Sequence, residues 1–372
     1  MPIFLIMALV LAISCITITY RTLTSYSSFP KWAKRSIFFV LLISWFSPII
    51  LFVIRSFNLL SGIAYAIVAQ TAYFMLGMAF ILIMLIIIRE VFWFTAYCIS
   101  RNPKINPDNP ALLNKVNFVT IIVAFLISVY GVYEANKTPN VVNITIEDAK
   151  IHKDTKFVVA SDLHIDASTP LWKVRQIVNH INAQNPDYIL LAGDIVDTVP
   201  EYLFEQMYEL KKLKAKKVYL SLGNHEHYNY AAKWMLKFTQ MGFDVLYNTG
   251  ELIEVANIFI GGVPDMYSAG VNYNKLMFYA KEDQYKVLMS HSPMLAKEIE
   301  KDKFNLIVSG HTHGGQIFPF HVVSQSANEF LAGMYDVNGN KLYVTRGAGY
   351  WGPPMRIFAP SDIVVFNLKG KQ

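Results

Sequence analysis

Four long apolar stretches within the first 133 residues constrain this chain more than any other feature. A helix needs roughly 17–25 apolar residues to cross a hydrocarbon core of about 30 Å. The stretches cover about residues 3–20, 36–54, 62–88 and 117–133. Ionisable groups are nearly absent from them, whereas transport pathways usually place charge at mid-membrane. We therefore predict four transmembrane helices that anchor the chain rather than transport solutes.

Composition and charge exclude several other classes of protein. The chain is 53% hydrophobic and only 16% charged, against roughly 25% charged in soluble domains. Its first 133 residues carry nine Lys or Arg side chains and two acidic ones. Because this basic surplus surrounds the apolar stretches, no nucleic-acid partner is expected. The cysteines, Cys15 and Cys98, both lie here as well, which excludes a disulfide framework or a thiolate zinc site in the later part.

Loop charges predict which side of the membrane the later part occupies. Lys and Arg are enriched in cytoplasmic loops. Loops 21–35 and 89–116 carry eight of these residues, whereas loop 55–61 and residues 136–155 on the opposite side carry four. The bias predicts a multi-pass protein of the cell (inner) membrane with an extracytoplasmic second part. If the fourth stretch does not span the membrane, the second part would lie on the cytoplasmic side, so its side is left undecided.

From about residue 140 the sequence alternates between strand and helix patterns. Val142, Ile144 and Ile146 alternate as in an exposed or edge strand. Later apolar runs are separated by helical patterns, which indicates an α/β sheet whose ligands gather beyond the carboxyl ends of its strands. The dipeptide Asn338-Gly339 predicts a type I′ hairpin turn. We predict an anchor over residues 1–135, a linker with the first strand over 136–155, and an α/β domain over 156–372.

Five apolar runs of this second part end in clusters of Asp, Asn and His. The clusters read SDLHID, GDIVD, GNHEH, SHSP and SGHTHGG. Carboxylate, carboxamide and imidazole groups suit divalent Mn, Fe or Zn. In an extended segment, Asp162 and His164 would point to the same side, and His311 and His313 repeat that spacing. The clusters therefore predict a metal site at one edge of the sheet.

This ordered set resembles the calcineurin-like metallophosphoesterase superfamily, with its motifs DxH, GDxxD, GNHE, H and GHxH. The segments GHTHGGQIFPF and RGAGYWGPPMRIFAP are similar to its membrane-anchored bacterial branch. The resemblance implies a metal-dependent phosphoric ester or pyrophosphate hydrolase, with a four-layer α/β sandwich and two divalent metal ions (Mn, Fe or Zn). A metal-bound hydroxide would be the nucleophile.

The resemblance also implies roles for individual residues. The implied metal ligands are Asp162, His164 and His313 for one ion, Asn224, His291 and His311 for the other, and Asp194 between them. His225 would stabilise or protonate the leaving oxygen, and Asp197 would orient that ring. The expected substrate contacts are Arg346, Arg356 and Gln316. His227 lies outside the pattern and is expected at the rim or surface.

The four predicted transmembrane helices favour a substrate that is itself in the membrane. Some superfamily members cleave UDP-2,3-diacylglucosamine in lipid A biosynthesis, and the resemblance makes this lipid-linked pyrophosphate the leading hypothesis, although it requires a cytoplasmic domain. The alternatives are an extracytoplasmic phosphoesterase acting on a phospholipid or carrier lipid, and a non-catalytic membrane scaffold. Ile317–Phe320 and Phe330–Tyr335 could hold an acyl chain or belong to the core. The oligomeric state stays open.

Overall fold

The computed structural model describes residues 2–25, 27–107, 109–266, 268 and 270–371. The chain divides into two compact units. A helical unit extends to Tyr133 and also includes the segment Gly352–Met355, and an α/β unit comprises Glu134–Trp351 and the residues from Arg356 onwards.

The helical unit contains four helices long and apolar enough to cross a membrane, which confirms the predicted anchor. Between 22% and 33% of each apolar window is buried inside the protein, so most of this surface faces outward. The helices are longer than the apolar stretches. Hydropathy identifies only the residues suited to the hydrocarbon core, whereas the helical hydrogen bonds continue into the polar residues on either side. Their bounds are α1 (Pro2–Thr24), α2 (Lys31–Ser56), α3 (Gly62–Ser100) and α4 (Pro110–Asn136).

Polar contacts join three of these helices near the ends of the apolar stretches. The Arg89 guanidinium on α3 donates to Asn117 Oδ1 at 2.8 Å and to Thr120 Oγ1 at 3.1 Å on α4. Asn117 Nδ2 donates in turn to the Leu23 carbonyl of α1 at 3.4 Å. Arg89 thus has polar partners within the bundle, as a charged group beside lipid requires.

The α/β unit contains two six-stranded mixed sheets. The first has the strand order β1-β12-β2-β3-β4-β5 and the second has the order β10-β11-β9-β8-β7-β6. The strands are β1 (Asn140–Asp148), β2 (Thr155–Ala160), β3 (Tyr188–Ala192), β4 (Lys217–Ser221), β5 (Asp244–Val245), β6 (Thr249–Ile253), β7 (Ile258–Gly262), β8 (Tyr285–Met289), β9 (Leu306–Ser309), β10 (Gly333–Val337), β11 (Asn340–Val344) and β12 (Asp362–Gly370). The helices are α5 (Leu171–Asn182), α6 (Phe204–Leu210), α7 (Asn224–Tyr228), α8 (Ala231–Gln240), α9 (Tyr273–Met277) and α10 (Phe320–Asn328).

Three apolar clusters arrange this unit in four layers. One cluster packs α5, α6 and α8 on the first sheet. A second fills the space between the sheets, where Phe157 of β2 and Tyr285 of β8 are both buried. A third packs α9 and the segment Pro293–Glu298 on the second sheet. The predicted sandwich of helices, two sheets and helices is therefore confirmed.

Sheet topology brings the polar clusters to one edge. Strands β2, β3, β4 and β5 run parallel in the first sheet, and β7, β8, β9 and β11 run parallel in the second. Because parallel strands end on the same side, the polar residues that follow them lie near one another.

Two local predictions are also confirmed. Among the strands that the structure describes, β1 pairs with β12 alone and forms the edge of its sheet. Asn338 and Gly339, at φ 52° and 76°, connect β10 to β11 as the positive φ angles of a type I′ turn require.

Removing the Phe366 ring should loosen the contact between the two sheets. Phe366 on β12 is fully buried, and its ring centroid lies 5.6 Å from that of Tyr343 on β11. Phe366→Ala should cost about 3–5 kcal/mol and lower the melting temperature of the detergent-purified chain by several degrees. Phe204→Ala, at a position 77% exposed in the same unit, is the matched control. Equal melting temperatures for the two variants would contradict this packing.

Candidate metal centre

Three groups of possible metal-ligand side chains lie beyond the carboxyl ends of the parallel strands, and two of them contain the residues expected to bind metal, while the third is His164, Asp197 and His225. Within each group the ligand atoms are all within 4.8 Å of one another. Asn224 adjoins the second group, with Oδ1 3.1 Å from His311 Nδ1. The structure thus brings together the seven side chains that the sequence assigned to metal. The first group is Asp162, His164 and His313, and the second is Asp194, His291 and His311.

The first group directs three ligand atoms at one point. His164 Nε2 lies 2.9 Å from His313 Nε2, and Asp162 Oδ1 lies 3.9 Å and 3.5 Å from these two nitrogens. Burial lowers the pKa of His164, but the carboxylates of Asp197, Asp194 and Asp162 together outweigh it and raise the pKa to about 9. Burial and the charge on His164 hold the pKa of His313 well below its usual value. A neutral His313 presents a lone pair, as a metal ligand must.

The second group contains a histidine nitrogen whose surroundings suit a cation. The Nδ1 atom of His291 lies 2.9 Å from the Ala192 carbonyl, so this nitrogen carries a proton, and in the neutral ring Nε2 carries the lone pair. Nε2 lies 3.0 Å from Asp194 Oδ2 and, among the described residues, has no hydrogen-bond partner with suitable geometry. Burial lowers the pKa of His291, but the adjacent Asp194 carboxylate and other nearby acids raise it well above its usual value, so a proton lies between the two atoms when no metal is bound. A metal ligand must be deprotonated, so a cation bound here would take the place of that proton.

Asp194 connects the two groups. Its Oδ2 atom lies 3.0 Å from His291 Nε2 and 3.8 Å from His164 Nε2, one ring from each group. Burial raises the pKa of Asp194, but the nearby charges of His291 and His164 outweigh it and hold the pKa below its usual value. In the part of the chain that the structure describes, neither Asp194 nor Asp162 pairs with a Lys or Arg. Buried carboxylates of this kind require another source of positive charge.

The ligand loops use a left-handed backbone rather than the extended one predicted. Left-handed φ angles strain residues other than glycine and cluster at functional sites. The expectation that an extended segment aligns Asp162 with His164 is therefore wrong, since both residues have left-handed backbone angles in the loop after β2. The ligands with such angles are Asp162 (52°), His164 (46°), Asp194 (52°), His311 (74°) and His313 (52°).

Glycines allow the loops to approach so closely. A Cβ at Gly193 would lie 2.6 Å from His291 Nδ1. A Cβ at Gly310 would overlap the Asp162 carboxylate. These are the close approaches that only glycine permits.

Asp197 holds two histidine rings in place. Its Oδ1 atom lies 2.6 Å from His164 Nδ1 and 2.8 Å from His225 Nδ1. Burial raises the pKa of Asp197, but the two histidines outweigh it and lower the pKa. His225 Nε2 lies 3.9 Å from Asp194 Oδ2, and the His225 side chain is 15% exposed. The ring is therefore fixed at Nδ1 and partly open to solvent beside the ligand groups.

Glu226 is a site residue that our sequence analysis did not single out. Its fully buried carboxylate accepts backbone N–H bonds from Gly223 (2.8 Å), Asp194 (3.0 Å), Ile195 (2.7 Å) and Val196 (3.0 Å). Burial and the charge of Asp194 raise the pKa of Glu226 to about 7. The carboxylate therefore joins the loop after β3 to the loop after β4. In the sequence, Glu226 is the final residue of the GNHE motif, which could have indicated its role.

Two expected substrate contacts have other roles in the structure. Arg356 is fully buried and donates to five backbone carbonyls, including those of His313 at 3.2 Å and Gly349 at 2.9 Å, so the expected phosphate contact is wrong. Gln316 is also buried. Its Nε2 donates to the Trp351 carbonyl at 2.8 Å, and its Oε1 accepts from the Trp351 backbone N–H at 2.9 Å. Both residues shape the loops around the ligands.

Arg346 is more accessible than these two residues. Its side chain is 37% exposed, and Nη1 lies 3.4 Å from Asp362 Oδ2. A Cβ at Gly314 would lie 3.0 Å from Arg346 Cγ, so the side chain passes over the turn that follows ligand His313. The side chain therefore lies partly exposed over this turn.

His227, which was expected at the rim or surface, is not fully exposed. It is half-buried, and its Nε2 atom is enclosed without a hydrogen-bond partner among the described residues. Burial lowers the pKa of His227 despite the nearby carboxylate of Asp265. Asp265 is fully buried just beyond β7. In the sequence it follows an apolar run that ends in GGVPD, the same pattern that marks the predicted ligands.

Comparison with known proteins agrees with this geometry. The family model of calcineurin-like phosphoesterases matches residues 155–315. An uncharacterized metallophosphoesterase of Campylobacter jejuni is 34% identical over 274 residues, which cover 70% of this chain and 72% of that protein. The chain belongs to the calcineurin-like phosphoesterases. It is a metal-dependent phosphoester hydrolase, and the paired ligand groups provide for two divalent ions.

Similarity extends into the helical unit. An uncharacterized metallophosphoesterase of Helicobacter pylori is 27% identical over 361 residues, covering 94% of this chain and 96% of that protein. A Danio rerio protein named "Transmembrane protein with metallophosphoesterase domain" is 28% identical over 271 residues, covering 68% of this chain and 62% of that protein. These relatives and the four apolar helices identify this phosphoesterase as an integral membrane protein.

Replacing Glu226 should disconnect the two ligand loops. In Glu226→Gln the amide NH₂ group would face backbone N–H donors, leaving buried groups unpaired at a cost of about 1–3 kcal/mol. The variant should melt several degrees below the wild type by differential scanning fluorimetry. The control is Glu201→Gln, because Glu201 is exposed and pairs with Lys233 on the surface, at 2.7 Å. Equal melting of the two variants would refute the role of Glu226.

Proposed function

We propose that this phosphoesterase hydrolyses a phosphodiester or pyrophosphate bond of a membrane lipid. The observation that carries the proposal is the pair of buried ligand groups joined by Asp194, on a chain with four membrane-spanning helices. The helices hold the catalytic unit at a membrane permanently. A lipid substrate therefore meets the site at high effective concentration.

The ligand groups fit two divalent cations such as Mn²⁺, Fe²⁺ or Zn²⁺. Two such cations supply an activated water and neutralise charge on the phosphoryl oxygens. The unpartnered His291 Nε2, the facing nitrogens of His164 and His313, and the carboxylates without Lys or Arg partners all support this fit. One ion would be held by Asp162, His164 and His313, the other by Asn224, His291 and His311, with Asp194 between them.

His225 is the residue that we propose for proton transfer to the leaving oxygen. Asp197 accepts from Nδ1 of the ring, which leaves Nε2 to hold a proton on the side of the ligand groups. A carboxylate partner of this kind fixes the tautomer and the orientation of the ring. Asp197 is here a positioning residue, since it acts through His225.

Arg346 is the residue that we propose for contact with a phosphate oxygen. Its guanidinium is partly exposed beside His313 and makes one long contact with Asp362. Arginine presents a planar set of donors that matches phosphate oxygens in pairs. The anchor at Asp362 limits the freedom of the side chain without using all of its donors.

Two lipid classes correspond to the two possible orientations of the site. UDP-2,3-diacylglucosamine, the substrate suggested by the sequence, requires a site on the cytoplasmic face of the inner membrane. The loop charges, eight Lys or Arg against four, instead favour an extracytoplasmic site and therefore a phospholipid or carrier lipid. A non-catalytic scaffold is disfavoured, because each ligand position and His225 carries a side chain suited to catalysis.

Turnover assays separate these alternatives. We expect the purified full chain with Mn²⁺ to hydrolyse bis-p-nitrophenyl phosphate, and Asp194→Asn to abolish that turnover. Asp283→Asn, which changes an exposed carboxylate, is the control. UMP release from UDP-2,3-diacylglucosamine would support the lipid A pathway and a cytoplasmic site. Cleavage of the model diester alone would favour extracytoplasmic lipids, and no turnover of either substrate would overturn the proposal in favour of a scaffold.

Loss of the His225 ring should slow the reaction without removing metal. His225→Ala is expected to lower kcat about 10²–10⁴-fold, the range typical of a lost general acid. Bound Mn²⁺ should stay at the wild-type level, because His225 belongs to neither proposed set of metal ligands. The comparison is with His152→Ala at an exposed position. An unchanged kcat, or a parallel loss of Mn²⁺, would show that His225 has a different role.

A further inference from the structure

An exposed apolar surface borders the candidate metal centre. Its side chains are between 43% and 80% exposed, although each is aromatic or branched aliphatic. They come from two segments, one around the start of α10 and one between β11 and β12. We call this surface the apolar rim, and it consists of Phe318, Phe320, Val322, Val323, Trp351 and Phe358.

Contacts between the two segments join the rim into one surface. The ring centroids of Phe318 and Phe358 lie 5.7 Å apart. The Phe318 backbone N–H donates to the Ile357 carbonyl at 3.2 Å, so the segments are also bonded through their backbones. Gln316, two residues before Phe318, holds the Trp351 backbone by two hydrogen bonds. The rim is therefore a built feature rather than a set of scattered side chains.

The rim reaches the catalytic residues. The Trp351 ring stands edge-on to the His225 ring, with centroids 5.8 Å apart. His225 is the proposed proton donor to the leaving oxygen. A molecule that rests on the rim thus has its polar end close to the group that would protonate it.

The rim lacks the charges of a water-facing surface. Residues 316–328 and 347–361 contain one Lys, Arg, Asp or Glu between them, and that residue, Arg356, is fully buried. The backbone at Phe358 is left-handed, with φ 58°, a conformation that strains a bulky residue. The fold does not recover this strain by burying the ring, which is 80% exposed. Contiguous exposed apolar surface of this kind marks an interaction site.

We propose that the apolar rim inserts into the interface of the lipid bilayer that the helical unit spans. Aromatic side chains favour the level of the lipid headgroups, and an uncharged rim avoids the cost of placing ions there. The four helices keep a bilayer always within reach, so shallow insertion needs little affinity of its own. The inference rests on the proposed function and deepens it, because a lipid phosphoester would enter the site from the bilayer beside Trp351 without crossing water.

Site-specific labelling tests the insertion directly. The full chain with Cys15→Ser, Cys98→Ser and Phe358→Cys would carry the environment-sensitive fluorophore NBD in phospholipid nanodiscs. Phe278→Cys in the same background is the matched control, since Phe278 is 83% exposed in the same unit but lies outside the rim. We expect blue-shifted NBD emission at position 358 and quenching by lipids spin-labelled near the headgroup, with neither effect at position 278. Equal emission and quenching at the two positions would overturn the proposal and leave a protein partner as the occupant of the rim.

Enzyme kinetics provide a second test of the rim insertion, and they distinguish its failure from a failure of the proposed function. In Phe318→Ser/Phe358→Ser the KM for whichever lipid the wild type cleaves in vesicles should rise severalfold, whereas kcat for bis-p-nitrophenyl phosphate should stay unchanged. Phe278→Ser is the control. An unchanged KM for the lipid would contradict the inference while the phosphoesterase stands. If the wild type cleaves neither substrate, the proposed function fails, and the labelling result alone decides whether the rim meets the bilayer.

Discussion

The rest of the structure depends on two buried carboxylates, Asp162 and Asp194, that imidazole rings surround. Neither carboxylate pairs with a Lys or Arg among the described residues, so their repulsion and desolvation must be offset by something else. Two divalent cations held by these residues would provide that offset. The left-handed loops, the glycines that allow close approach and the buried Glu226 all cost stability in isolation, and together they hold the carboxylates in place.

Much of this arrangement follows from the sequence because strand ends and residue types are local properties. Apolar runs ending in Asp, Asn or His predicted which side chains meet, and bilayer-length stretches predicted the four helices. The conformation of the loops was not predictable, since spacing alone suggested an extended backbone where Asp162 and His164 are left-handed. Arg356 was misjudged for a related reason: an arginine near a phosphate motif looks like a phosphate ligand until the carbonyls that surround it are known.

The two units of the chain suggest a division of labour. The helical unit determines where the reaction takes place, and the α/β unit supplies the chemistry. Trp351 and Phe358 relate the two roles to each other. Both residues lie on the phosphoesterase unit and are exposed, and aromatic side chains of this kind are enriched at the interface between membrane and water. A tether alone would keep the enzyme near lipid, whereas the proposed insertion of the rim would also orient the site toward it. If the rim inserts as proposed, the leaflet that it contacts would determine which lipids reach the site.

Manganese stoichiometry tests the two-ion centre most directly. The purified full chain, stripped with a chelator and dialysed to equilibrium against Mn²⁺, should bind two ions per chain. Electron paramagnetic resonance of the reloaded protein should then show two exchange-coupled ions, as expected when Asp194 lies between them. Asp194→Asn should lose this coupled signal. Binding of one ion or none by the wild type, or two ions without coupling, would contradict the centre described here.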